Sequence, residues 1–136
     1  MTITVCKTFI ETTIKAKVTV SSSEIYPTDE QKSGDIFTLI IEESGRFEMR
    51  SADWAQSFHS VAAYVLGPKS SMLNVYKKLS GVPESICSAL CKDPTLNSGC
   101  DTFENATYQN ATLNIAGVDY VGYKISVNNI KIPRTL

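Results

Sequence analysis

Residues that alternate between apolar and polar fill both ends of this chain, while its middle repeats apolar residues at helical spacing. Strand-type periodicity on either side of helix-type periodicity, instead of the two interleaved, predicts the α+β class. The expectation is an antiparallel β-sheet, with hairpins before and after, and a central two- to three-helix segment packed on one face. At 136 residues the chain is expected to be a single domain, 1–136. A chain of that length buries about two-thirds of its unfolded surface and needs no staple to fold.

At the N-terminal end, Ile3, Val5 and Phe9 alternate with Thr2, Thr4, Cys6 and Thr8. Ile14, Ala16, Val18 and Val20 then alternate with Lys15, Lys17 and Thr19. Period two in a Thr, Val and Ile background predicts strands, as a hairpin near residues 11–13 or as one bent strand. A polar stretch follows over residues 21–35, long for a loop inside a compact domain. Next, Phe37, Leu39 and Ile41 alternate with Thr38, Ile40 and Glu42, and Phe47 and Met49 with Arg46, Glu48 and Arg50. Ser44-Gly45 between the two runs predicts a tight hairpin turn.

In the middle, Ser51 is suited to cap a helix with Asp53 in its first turn. Trp54, Phe58, Val61, Ala62 and Val65 would form its apolar stripe, which places His59 on the same helix, and Gly67-Pro68 would end it. A second helix is expected over residues 69–80, with Met72, Leu73, Tyr76 and Leu79 inward and Gly81 at its C-cap. Pro83 suits the first turn of a third. After a polar loop at 92–105 the pattern is β again: residues 108–116, a turn at Gly117, then Val121, Tyr123, Ile125 and Val127 on one face. Asn128-Asn129 reads as a further turn before Ile130 and Ile132, with Pro133 at an edge.

Composition narrows the functional classes. The net charge is −1 and Lys77-Lys78 is the only basic doublet, so a nucleic-acid partner is not expected. No apolar run approaches the roughly 20 residues of a membrane helix, and the first ten residues do not read as a secretory signal. We therefore expect a soluble protein without a membrane partner, located in the cytoplasm or in a virion. In a reducing compartment the four cysteines default to thiols. Cys87 and Cys91 are expected as small core residues; a Cys91–Cys100 disulfide and a metal site using Cys87, Cys91 and Cys100 are the alternatives weighed. No cofactor and no metal ligands are expected, because the spacing is not that of paired zinc knuckles.

His59 is the only histidine, so common acid/base chemistry has one candidate residue, and no catalytic residues are assigned. The reading that remains is a non-enzymatic protein-interaction or assembly subunit, homo-oligomeric or bound to another protein. A viral or phage structural or accessory protein fits the size and the Thr/Ser/Ile-rich strands. Ile25 and Tyr26, two large apolar residues inside a polar loop, are the expected partner contacts, since aromatic anchors dominate interface energies. Docking of that loop onto its own domain is the alternative. The second functional reading is a small-ligand binding protein, with a pocket between sheet and helices lined by Trp54, Tyr76, Tyr120 and Tyr123.

Overall fold

The computed structural model describes residues 1–32 and 35–135, so Ser33 and Gly34 of the first polar loop lie outside the described residues. Three helices and a five-stranded mixed sheet make an α+β fold. The elements are α1 (Ile3–Lys17), β1 (Ser22–Glu24), β2 (Phe37–Met49), β3 (Trp54–Pro68), a 3-10 turn (Lys69–Ser71), α2 (Met72–Lys78), α3 (Val82–Cys91), β4 (Asn105–Ile115) and β5 (Val118–Thr135). The sheet order is β1-β2-β3-β5-β4. Only β1 and β2 run parallel, and the other three pairings are antiparallel.

Four expectations are corrected. Residues 3–17 are a helix, not strands. Thr2 caps it by accepting from the Val5 N–H at 3.2 Å, and Lys15 and Lys17 stand in the last turn, facing the negative end of the dipole. Cys6, Ile10 and Ile14, each four apart, are fully buried and form the stripe that docks the helix. Thr12 and Thr13 return their hydroxyls to the carbonyls of Thr8 and Phe9, so the β-prone threonines are satisfied inside the helix. Tertiary packing of one stripe outweighs the intrinsic preference of the threonines.

Residues 54–68 are a strand, not a helix. β3 pairs with β2 on one side and β5 on the other, and from Val61 to Gly67 all but Tyr64 are buried. A strand buried on both faces loses its alternation, and its continuous apolar run is indistinguishable by period from a buried helix. The hairpin joining β2 to β3 also turns later than expected. Ser44-Gly45 lies within β2 beside a register shift between Glu42 and Ser44. The chain reverses instead at residues 50–53, where the N–H groups of Arg50 and Ser51 both donate to the Trp54 carbonyl. Asn128-Asn129 is likewise no turn: β5 runs through it with a bulge, Asn129 taking φ 52°.

The C-terminal hairpin turns at Ala116 and Gly117, whose φ values of 51° and 84° suit a tight two-residue turn between Ile115 and Val118. Pro83 opens α3, and Ile86 and Leu90 bury its inner face. The main core joins Cys6, Ile10 and Ile14 of α1, Val75 and Leu79 of and just after α2, and Ile86 and Leu90 of α3. Their sheet partners are Ile40, Val61, Ala63, Val65, Val121, Ile125 and Val127. A second cluster holds the sheet residues of opposite parity: Phe37, Leu39, Leu66, Ile115 and Tyr120. No helix among the described residues is long and apolar enough to cross a membrane.

Candidate functional site

Sheet order decides which backbone groups lack a strand partner, and β4 is last in the order. It pairs with β5 without a register break from Asn105↔Asn128 to Ile115↔Val118. Its sequence, NATYQNATLNI, has no charge, no proline and no bulge. Edge strands are ordinarily kept from pairing with other chains by one of those devices, or by being short or covered. Eleven regular residues with none of the first three present an open template. Most of β4 is exposed, and Tyr108 at 48% is its one exposed large hydrophobic side chain. Tyr108 meets Tyr123 edge-on, with ring centroids 6.3 Å apart, and Tyr123 meets Tyr76 of α2 at 5.7 Å. A ladder of three tyrosines thus runs from α2 across β5 to the open edge.

At the other side of the sheet β1 covers only residues 37–39 of β2, leaving 40–49 paired with β3 on one side and with no strand on the outer side. That edge carries the protections β4 lacks: the irregularity between Glu42 and Ser44, and the charges of Glu42, Glu43, Arg46 and Glu48. Beyond it the β2–β3 hairpin exposes Phe47 at 59% and Met49 at 74%.

The expected site residues are dispersed. Tyr76 and Tyr123 share the tyrosine ladder. Tyr120 lies in the second cluster, with Phe37 edge-on at 4.9 Å, its hydroxyl accepting from the Lys32 N–H at 2.8 Å and donating to the Lys32 carbonyl at 3.0 Å. Trp54 begins β3 at the far end of the hairpin, paired with Thr135. Tyr76 and Tyr123 are thus brought together, while Tyr120 and Trp54 stand apart from them. Ile25 packs against the main core of its own chain, while Tyr26 stays 58% exposed with the Lys7 ammonium 4.5 Å from its ring centre. Lys7, itself buried, also donates to the Ile25 carbonyl at 2.9 Å. Tyr108 was not singled out from the sequence; it was read only as the start of a strand.

His59 lies on β3, not on a helix, and joins three strands. Its Nδ1 is 2.6 Å from Glu42 Oε1 on β2, and its Nε2 is 3.0 Å from Ser57 Oγ. Ser57 Oγ donates to the Ile132 carbonyl of β5 at 3.2 Å and accepts from Arg134 Nε at 3.3 Å. Serine, histidine and carboxylate in this sequence of contacts have the connectivity of a nucleophilic triad. Hydrogen-bond accounting shows where the serine proton goes. Ser57 Oγ donates its one proton to the Ile132 carbonyl and not to His59, and accepts from Arg134 Nε. Ser57 is 3% exposed inside a paired strand and also lines the adjoining depression. The network is a polar strap across β2, β3 and β5, beside a shallow depression of about 300 Å³ lined by Phe47, His59 and Arg134 among others.

Cys87 and Cys91, expected as small core residues, are half-buried and exposed respectively, and the buried cysteines are Cys6 and Cys100, which lie side by side. Burial, with the nearby Cys91 adding to it, pushes the Cys87 thiol from 9.0 to about 11. Among the described residues no group of three or more His, Cys, Asp or Glu side chains is arranged to hold a metal ion. No family model matches the chain, and no curated protein matches it in sequence.

Proposed function

We propose that this chain is a non-enzymatic assembly subunit that pairs with a second copy of itself through β4. The observation that carries the reading is the eleven-residue edge without charge, proline or bulge. Each backbone group on that edge trades water for a strand partner when a copy docks, and antiparallel pairing of β4 with β4 about a two-fold axis extends each five-stranded sheet into its neighbour. A copy is the favoured occupant because β4 is neutral along its length: it offers a charged partner no complementarity and its own copy no repulsion. The opposite edge, on β2, is bulged and charged, which directs pairing to β4. Tyr108 adds a rigid aromatic contact beside the new strand pair.

Native mass spectrometry with sedimentation at micromolar concentration tests this. A dimer, or a larger species built on it, is expected. Replacing Asn110 and Thr112 together by lysine places like charges across the paired edges and should weaken self-association at least about tenfold. The circular dichroism spectrum should not change, because both side chains are exposed. A wild-type chain that stays monomeric, or a lysine variant that assembles as well as wild type, removes β4 as the assembly strand.

A further inference from the structure

Cys6 lies in the first half of α1 and Cys100 ends the turn after α3, so most of the chain separates them. The fold brings them together in the main core, where both are fully buried. The turn that delivers Cys100 is tightly organised. The N–H groups of Gly99 and Cys100 converge on the Thr95 carbonyl at 2.9 and 3.1 Å, and the Asp93 carboxylate takes the Thr95 hydroxyl and the Asn97 N–H. Leu96, Asn97 and Ser98 hold φ values of 48°, 61° and 62°, three successive left-handed residues without a glycine, a conformation that L side chains adopt only under constraint. That reversal presses Gly99 onto α1: a Cβ there would stand 2.8 Å from Cys6 Sγ and 3.0 Å from the Cys6 nitrogen. The neighbouring Cys100 thiol donates to the Pro94 carbonyl at 3.6 Å. Its polar interaction with Cys6 holds Cys6 below the ordinary thiol range and, with burial, drives Cys100 far above it.

We propose that Cys6 and Cys100 are a latent disulfide pair, open under reducing conditions and closed by a small disulfide oxidant into a bond that ties α1 to the turn before β4. The chemistry is thiol–disulfide exchange. The thiolate of one cysteine attacks a sulfur of glutathione disulfide, and one glutathione leaves as a thiolate and takes up a proton. The second cysteine's thiolate then displaces the remaining glutathione from the mixed disulfide. Two electrons pass from the protein to the oxidant, two glutathione thiols are released, and one intramolecular S–S bond is formed. Lifting the left-handed turn exposes Cys100 while the sheet stays paired, which gives the oxidant its way in.

The full chain, purified reduced and then incubated with glutathione disulfide, tests the pair. Trypsin separates the cysteines into peptides 1–7, 79–92 and 93–124, holding Cys6, Cys87 with Cys91, and Cys100 respectively. The expected product joins 1–7 to 93–124 within one chain, and its thermal midpoint rises by about 5–10 °C, reversibly with a phosphine reductant. The variant with Cys87 and Cys91 both changed to serine should give the same crosslink. A bond within 79–92, a bond from 79–92 to either other peptide, or full retention of the thiols after incubation overturns the proposal. Buried cysteines acting only as core filler would give that last result.

Discussion

Gly122 shows how closely one residue can fix the sheet. Opposite Leu66 on β3, it lets β5 approach so near that a Cβ would stand 2.1 Å from the Val65 carbonyl oxygen and 3.0 Å from the Leu66 Cα. Both obstacles are backbone, so no side-chain rotation relieves them. Gly122→Ala is therefore expected to destabilise the domain by about 3 kcal/mol, read as a lower urea midpoint at unchanged slope. Cys87 carries a pH dependence at the same scale. Its folded pKa is raised by burial, so the protonated thiol contributes stability in full below pH 9.0, and that contribution is lost as pH rises through about 11. Denaturant midpoints should fall between those values, and fall less in Cys87→Ala. Below pH 9, iodoacetamide should modify Cys91, which is exposed, well before Cys87.

Among the elements, those whose signals are local were legible in the sequence, and those whose pattern is set by neighbours were not. The Ala116-Gly117 turn needs two positive φ values, and Gly117 announces it. α3 is marked by Pro83 and by Ile86 and Leu90 four apart. α1 was hidden because Ile3, Val5 and Phe9 satisfy period two while Cys6, Ile10 and Ile14 satisfy the helical period, and only the packing partners choose between them. β3 was hidden because its neighbours bury both faces. The candidate site was legible only in part. That residues 108–116 form a strand could be read; that β5 leaves β4 and inserts beside β3, making β4 an edge, is a long-range pairing with no local signature. The neutrality of β4 acquires meaning only from that position. Tyr76 and Tyr123 could be singled out as aromatics between helix and sheet; that they meet edge-on in a ladder leading to the edge is set by the fold.

Across the whole molecule, the segment from α1 to β2 links the two sides of the sheet. Ile25 packs into the core beneath the helices, while Pro27 and Thr28 border Leu39, Ile41, Tyr64 and Leu113, which belong to or pack against the second cluster. Four polar contacts fix its far end: both Lys32 backbone groups on the Tyr120 hydroxyl, the Lys32 ammonium 3.2 Å from Glu24, and the Gln31 amide donating to the Ala116 carbonyl at 3.0 Å. The loop thereby borders apolar sheet surface of the second cluster. Tyr120→Phe keeps the ring against Phe37 and removes only the hydroxyl, so the second cluster should survive. The expected cost is about 1 kcal/mol of global stability, because the freed Lys32 groups can turn to water. The local effect should be larger. Trypsin cleavage after Lys32 should speed up several-fold relative to cleavage after Lys92, since opening a loop needs far less free energy than unfolding the sheet. Equal rates in wild type and variant would mean that the Tyr120 hydroxyl does not anchor the loop, and that Ile25 and the Gln31 and Glu24 contacts hold it alone.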